Sequence, residues 1–188
     1  MVKVADSSSA SEGRSNTEPT ISSEVKFEGK ILKLRVDKVR MADGLIATRE
    51  IVEHCESICA VPIDGQGNVL MVKQYRKPAE AELLEIVAGG IEIGEDPQEA
   101  AIRELREEIG HTAGKLELLS SFWLAPGWCD EFMYAYLATD LSPAKLSGDD
   151  DENISVVTVP LDTIPGLIQT GEIQDVKSIA ALLLAMRK

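Results

Sequence analysis

Residues 89–110 read GGIEIGEDPQEAAIRELREEIG, and this stretch decides how the rest of the chain is interpreted. Asp96 is a good helix N-cap, Pro97 suits a first helical turn, and Gly110 suits the residue after a helix end. The sequence therefore predicts a helix over Asp96–Ile109. At 100° per residue, its carboxylates cluster on an arc beside the apolar face: Glu104, Glu107 and Glu108.

These clustered glutamates are electrostatically unfavourable on an isolated helix. Like charges spaced by three or four residues cost about 0.2–0.5 kcal/mol per pair. Hard divalent cations bind several carboxylate oxygens, so a bound cation would turn this repulsion into binding energy. A solvated acidic face is the alternative interpretation of the same pattern.

Composition and charge exclude several classes of protein. The chain has 188 residues, of which 44% are hydrophobic, enough for one domain with a small appendage. A net charge of -13 argues against a nucleic-acid partner. No apolar run approaches the roughly 20 residues of a membrane span, and the N-terminus has no signal-peptide region. We therefore expect a cytoplasmic protein with no membrane partner.

The cysteines are sparse and odd in number, which fits a reducing compartment: Cys55, Cys59 and Cys129. Cys55 and Cys59, with His54 beside them, could form half of a metal site. The sequence offers no second ligand pair, so packing is the favoured interpretation.

The chain is predicted to divide into three segments. Residues 1–24 are rich in serine and lack aromatic residues, which predicts a disordered tail. Residues 25–55 are predicted to form a small β-sheet region, with strands Phe27–Val39 and Leu45–Glu53 joined by a turn at residues 42–44. Residues 56–188 are predicted to form the main domain.

The main domain is predicted to be α+β. Two apolar runs, Ser57–Ile63 and Val69–Gln74, are separated by a turn signal and are predicted to pair as a hairpin. Further strands are predicted at Leu83–Val87, Leu116–Phe122, Phe132–Thr139 and Ile154–Pro160. Two C-terminal helices are predicted at Leu161–Thr170 and Val176–Arg187, although Pro165 makes the full length of the first doubtful.

The segment quoted first resembles the Nudix box, G-x5-E-x7-R-E-U-x-E-E-x-G-U, where U is a bulky apolar residue. Its positions are matched by Gly89, Glu95, Arg103, Glu104, Leu105, Glu107, Glu108 and Gly110. Seven fixed residues at ~7% frequency each would coincide on the order of once in 10⁸ windows. The departure is His111, where the pattern has an apolar residue, and it touches none of the chemistry.

The resemblance implies a Nudix fold, with a mixed β-sheet sandwiched between helices, and hydrolysis of a nucleoside diphosphate linked to another group. It further implies a Mg²⁺ (or Mn²⁺) site formed by glutamates of the helix and one main-chain carbonyl: Glu104, Glu107, Glu108 and Ala88. Arg103 would orient the carboxylates, and Glu95 would hold the loop. Mg²⁺ screens the pyrophosphate charge and activates a bound water.

Features outside the box narrow the subfamily. Residues 72–76 and 84–89 are similar to the Q-Y-R and E-x-P-A-G segments of ADP-ribose pyrophosphatases, with Val87 in place of the usual proline. Pro126 lies sixteen residues after Gly110, a spacing associated with ADP-ribose hydrolases. The resemblance implies four substrate-binding residues: Arg76, Glu85, Pro126 and Glu131.

The catalytic candidates are Glu152, Glu107 and Arg103. Glu152 lies in an acidic run before a predicted strand, where similar enzymes keep a catalytic glutamate, so it is the candidate general base. The alternative for Glu152 is a residue of a solvated loop.

The predicted reaction is therefore Mg²⁺-dependent cleavage of ADP-ribose, or a related ADP-sugar, to AMP and a sugar phosphate. Two alternatives stay open. One is a pyrophosphatase for another nucleotide sugar such as GDP-mannose, and the other is a catalytically weak nucleotide sensor. Because residues 25–55 resemble the dimerisation region of the subfamily, a homodimer is expected.

Overall fold

A computed structural model describes residues 17–146 and 154–188 of the chain. The chain divides into two compact units at the boundary between Val52 and Glu53. This boundary lies three residues before the one predicted after residue 55. Each unit contains sheet structure of its own.

The N-terminal unit is an antiparallel sheet of three strands in the order β1-β2-β3. Its strands are β1 (Thr20–Glu28), β2 (Leu32–Arg40) and β3 (Ile46–His54), the last of which ends just past the boundary. The turn before β3 forms as predicted, since Met41 N donates to Leu45 O over 2.9 Å. Gly44 has a φ of 89°, a left-handed conformation that glycine adopts without strain.

The first strand corrects two predictions. Residues 20–24 belong to β1 and not to a disordered tail, and the predicted strand Phe27–Val39 is interrupted by a turn at Gly29, whose N–H donates to Leu32 O. Every residue of β1 is exposed. The strand is instead held by main-chain pairing to β2, which needs no apolar side chains. This is why a serine-rich composition gave no sign of it.

The C-terminal unit contains two sheets. The first has three strands in the order β10-β5-β6, namely Ile154–Pro160, Asn68–Arg76 and Ala81–Glu85. The second has four strands in the order β7-β4-β9-β8, namely Val87–Gly90, Ser57–Pro62, Phe132–Pro143 and His111–Trp123. The second sheet is mixed, because β4 and β9 run parallel while the other neighbours are antiparallel.

Two predicted strand arrangements are wrong. β4 and β5 do not form a hairpin, because they lie in different sheets and share only an isolated bridge between Ile63 and Val69. The predicted strand Leu83–Val87 is divided at Ile86, and its two parts also join different sheets. Gly89 and Gly90 belong to β7. Between β4 and β7 the chain thus crosses twice from one sheet to the other.

In the part of the chain that the structure describes, three α-helices flank the sheets: α1 (Pro97–Glu108), α2 (Ile164–Thr170) and α3 (Val176–Ala185). Pro165 is accommodated in the first turn of α2, where a missing N–H costs nothing. One apolar core lies beneath α1, and the other joins strand side chains to α2 and α3. Alternate residues of β4 enter the two cores, which confirms the predicted sandwich. None of the helices in the described residues is long and apolar enough to cross a membrane.

Candidate active site

Arg103, in the middle of α1, fixes the loop that precedes the helix. Its Nε donates to Glu95 Oε1 over 2.9 Å, and its Nη2 donates to Glu95 Oε2 over 3.0 Å and to Gly90 O over 2.9 Å. These hydrogen bonds raise the pKa of Arg103 and lower that of Glu95. Glu95 Oε2 also accepts from Glu92 N, so Glu95 holds the loop as predicted.

The other edge of the Arg103 guanidinium binds two carboxylates of the same helix. Its Nη1 lies 2.6 Å from Glu104 Oε1 and 3.1 Å from Glu107 Oε2. Arg103 thus carries one positive charge against the three carboxylates of Glu95, Glu104 and Glu107, and these four side chains together are negative. Arg103 is thus placed to orient the carboxylates, the role that the resemblance implied for it.

Strand β7 packs its main chain against the carboxylates of α1. Ala88 N donates to Glu108 Oε2 over 3.3 Å. A Cβ atom added to Gly89 would lie 1.9 Å from Glu104 Oε1, so only glycine leaves room for this side chain. Glu104 and Glu108, one helical turn apart, therefore meet adjacent residues of one strand.

The donor chemistry of this region fits a hard divalent cation. The carboxylates of Glu104, Glu107 and Glu108 and the carbonyl of Ala88 supply only oxygen ligands, as Mg²⁺ prefers. Within residues 17–146 and 154–188, no three acidic, histidine or cysteine side chains converge as they would around a metal ion. Glu104 and Glu107 converge on Arg103 instead.

A cleft of about 290 Å³ opens beside β7. Its walls come from strands of both sheets, the loop before β9 and the start of α3. The lining residues are His54, Ser57, Arg76, Ala88, Gly89, Gly90, Leu124, Glu131, Met133, Asp175, Val176 and Lys177. Residues 88–90 of β7 therefore line the cleft on one side and contact α1, the carboxylate helix, on the other.

Arg76 is fixed at the cleft wall by Glu85. Its Nε and Nη2 donate to the two oxygens of Glu85, both over 2.8 Å. Glu85 is 1% exposed and also binds Lys177. Burial by itself would raise the pKa of Glu85, but Arg76 and Lys177 bring it below its ordinary value. Glu85 does not line the cleft in the described residues, and its substrate contact stays a prediction.

Glu131 reaches the cleft through a set of hydrogen bonds around His54. Ser57 Oγ donates to Glu131 Oε1 over 2.8 Å, and His54 Nδ1 lies 3.9 Å from the same oxygen. The main-chain N–H of His54 donates to Asp130 Oδ1 over 2.8 Å. These contacts hold the loop before β9 against β4.

The remaining predicted residues lie elsewhere. Pro126 is exposed in a turn closed by the N–H groups of Trp128 and Cys129, which donate to Ala125 O, and it does not line the cleft. Glu152, the candidate general base, lies outside the described residues and stays a prediction.

Among the polar side chains that line the cleft, the sequence analysis missed Ser57, Asp175 and Lys177. A signal was available for Lys177, since it is the single charged residue of the mostly apolar helix α3. No pattern in the sequence marks Ser57, because its partner Glu131 is 74 residues away.

Comparisons with known proteins match both units. The NUDIX domain model matches residues 53–182, and the model for the nucleoside diphosphate sugar hydrolase N-terminal domain matches residues 18–52. The chain belongs to the Nudix family. The boundary between the two matched models coincides with the boundary between the compact units. Nudix hydrolases generally depend on a divalent metal, which agrees with the oxygen donors of α1 and β7.

Similar proteins span nearly the whole chain. An ADP-ribose pyrophosphatase from Bacillus subtilis (strain 168) is 39% identical over 171 residues, covering 90% of this chain and 92% of its own. A methanol dehydrogenase activator from Bacillus methanolicus is 38% identical over 172 residues, covering 90% and 93%. A crystal structure of an ADP compounds hydrolase superposes with a TM-score of 0.83 at 25% identity, covering 90% and 92%.

More limited matches include enzymes for another nucleotide sugar. A GDP-mannose pyrophosphatase from Enterobacter sp. (strain 638) is 32% identical over 125 residues, covering 61% of this chain and 64% of its own length. The likeness to this enzyme is thus both weaker and shorter than the likeness to the ADP-ribose pyrophosphatase.

Proposed function

We propose that this Nudix hydrolase cleaves the pyrophosphate bond of ADP-ribose, or a related ADP-sugar, to AMP and a sugar phosphate. The observation that carries the proposal is the 39% identity to an ADP-ribose pyrophosphatase over 92% of that protein's length. A match over this length includes the N-terminal unit, the carboxylate helix and the cleft. The cytoplasm, where ADP-ribose would be met, is the proposed location.

The residues of α1 and β7 are proposed to bind the metal ion, and those of the cleft are proposed to bind the substrate. Glu104, Glu107, Glu108 and the Ala88 carbonyl would hold Mg²⁺, with Mn²⁺ as a second candidate. The bound ion would supply Lewis-acid stabilisation of the phosphoryl charge and a more acidic water. Arg103 holds Glu104 and Glu107 in place through hydrogen bonds of 2.6 and 3.1 Å. Glu152 remains the proposed general base.

Arg76 is the proposed diphosphate contact. Two of its nitrogens bind Glu85, while Nη1 has no hydrogen-bond partner within residues 17–146 and 154–188. A guanidinium with a free edge, at the wall of a cleft, is suited to a phosphate oxygen. Glu131, which lines the same cleft, is proposed to accept a hydrogen bond from a hydroxyl group of the substrate.

A panel of nucleotide sugars tests the substrate. ADP-ribose, ADP-glucose, GDP-mannose and UDP-glucose are incubated with Mg²⁺, and release of the nucleoside monophosphate is measured. We expect AMP from ADP-ribose at a kcat/KM at least about ten-fold above that for GDP-mannose. Cleavage of GDP-mannose without cleavage of ADP-ribose would support the alternative substrate. Tight binding of ADP-ribose without turnover would support a nucleotide sensor.

A homodimer is also proposed, formed through the N-terminal unit. Large apolar side chains of this unit are exposed: Ile21, Val25, Phe27, Ile31, Leu32, Leu45 and Ile46. Exposed apolar groups of this number are typical of a protein interface. Light scattering should give about twice the 20.4 kDa of one chain, and Phe27→Ser should shift the mass towards one chain. A wild-type mass near 20.4 kDa would contradict the dimer.

A further inference from the structure

Lys177 is a buried cation at the start of α3 whose role the reaction described above leaves open. Its side chain is 12% exposed, and its Nζ binds Glu85 and lies 2.9 Å from Asp175 Oδ2. Burying an ammonium group costs free energy unless it is paired and hydrogen-bonded. Two carboxylate partners meet that requirement, so Lys177 is fixed between them.

Both partners of Lys177 are committed to other groups. Glu85 holds Arg76 through both carboxylate oxygens. Asp175 is the N-cap of α3, where its Oδ2 accepts from Ser178 N over 3.0 Å and from Ser178 Oγ. Ser178 Oγ accepts in turn from Ile86 N over 2.9 Å. Lys177 therefore joins the guanidinium at the cleft wall to the rigid beginning of a helix.

The position of Arg76 depends on this connection. Glu85 Oε2 is shared between Arg76 Nη2 and Lys177 Nζ, so the carboxylate is held from two directions. Without the ammonium group, the carboxylate could rotate, and the bidentate arginine would rotate with it. The cluster would also keep two carboxylates against one cation, beside a cleft proposed to accept an anion.

We propose that Lys177 is a positioning residue for substrate binding. It holds Glu85 so that Arg76 presents its free Nη1 edge to the diphosphate. The inference rests on the proposed function in that it takes a nucleoside diphosphate as the ligand of this cleft. It assigns to Lys177 no contact with the substrate.

Steady-state kinetics of Lys177→Met on ADP-ribose tests the role. We expect KM to rise about ten-fold, the loss of one charged hydrogen bond in the bound state, while kcat stays within about three-fold. Lys177→Arg keeps the cation and should recover most of the lost affinity. Lys73→Met is the matched control, because Lys73 pairs with exposed Glu82 outside the cleft and its removal should leave KM unchanged.

A double-mutant cycle distinguishes positioning from direct contact. If Lys177 acts through Arg76, Lys177→Met should raise KM less than about two-fold further in an Arg76→Met background. Independent effects, in which the two KM increases multiply, would mean that Lys177 binds the phosphate itself and would overturn the proposal. An unchanged KM in Lys177→Met would overturn it as well.

A second variant covers the case in which Lys177→Met does not fold. Lys177→Met with Asp175→Asn removes one cation and one anion, and asparagine still caps a helix. The net charge of the cluster is then the same as in the wild type. A KM still raised at least about three-fold would therefore come from the lost positioning of Glu85 and Arg76, and not from a change in charge. A wild-type KM in this variant would contradict the proposal.

Failure of the proposed function can be distinguished from failure of the role proposed for Lys177. If wild-type protein does not cleave ADP-ribose, the proposed function fails, and the comparison is made on the Kd for ADP by calorimetry, which needs no turnover. Weaker ADP binding by Lys177→Met, about ten-fold, with unchanged binding by Lys73→Met, would still support Lys177 as a positioning residue. Equal Kd values would overturn that role.

Discussion

Two clusters of charged side chains adjoin the cleft, and they differ in their balance of positive and negative charge. In the first, Arg103 faces three carboxylates, those of Glu95, Glu104 and Glu107. In the second, Arg76 and Lys177 face Glu85 and Asp175, so that cations and anions are equal in number. Negative charges outnumber positive charges in the first cluster, whereas the two are equal in number in the second.

This difference in charge corresponds to a difference in task. A cluster with excess carboxylates favours binding of further cations, and its repulsion is relieved when they bind. A cluster of balanced charge around the buried Glu85 has no excess charge to attract a further cation, and it instead fixes the geometry of its members. The carboxylate helix is thus suited to metal binding, and the second cluster is suited to holding Arg76 still.

The largest expected effect comes from the cluster with excess negative charge. Glu108→Gln keeps an oxygen that can accept from Ala88 N but removes the charge of a proposed metal ligand. We expect kcat on ADP-ribose with Mg²⁺ to fall at least about 100-fold, with little change in thermal stability. Glu99→Gln is the control, since Glu99 is an exposed residue in the first turn of the same helix. A Glu108→Gln enzyme within a few-fold of wild type would remove Glu108 from the proposed metal site.

A smaller effect is expected where β7 meets the same cluster. In Gly89→Ala, the new methyl group would lie 1.9 Å from Glu104 Oε1, so either the carboxylate or the strand must shift. We expect kcat to fall about ten-fold and the free energy of unfolding to fall by about 1–3 kcal/mol. Gly127→Ala is the control, because a methyl group there meets nothing within 4 Å. Wild-type activity in Gly89→Ala would show that Glu104 can move without loss of function.

The two clusters also differ in how far the sequence could predict them. Glu95, Arg103, Glu104 and Glu107 lie within thirteen residues on one helix and its preceding loop. Helical periodicity therefore predicted the clustered glutamates, and the resemblance to the Nudix box implied the roles of Arg103 and Glu95. In the second cluster, Lys177 is 92 residues from Glu85. A contact of that separation depends on the fold, and the sequence analysis left the partner of Glu85 unidentified.

The pairing of strands β4 and β5 was also beyond prediction from local sequence. The turn at residues 64–67 carries glycine and aspartate, a composition typical of both a hairpin and a change of sheet. Both flanking strands are largely buried, so alternation of polar and apolar residues could not decide between them. The helix α1 was predicted more closely because its N-cap, Asp96, is a local signal.

The last prediction concerns stability and its pH dependence, and it tests whether the charges of the second cluster are balanced. The pKa of Glu85 is below its ordinary value of 4.5, because Arg76 and Lys177 outweigh the effect of burial. A carboxylate with a lowered pKa in the folded state stabilises the protein above its unfolded pKa. That contribution is lost as the pH falls through the folded pKa. Wild-type stability should therefore decline below about pH 4.5.

Glu85→Gln should remove this dependence. At pH 7 we expect the variant to lose about 3 kcal/mol of unfolding free energy, because Lys177 keeps a buried charge with one fewer partner. Chemical denaturation at several pH values should show the difference from wild type narrowing below pH 4.5, as wild-type Glu85 gains its proton. Glu82→Gln is the control, since Glu82 is exposed and paired with Lys73. A difference that stays constant from pH 7 to pH 3 would mean that Glu85 supports the fold by shape and not by charge.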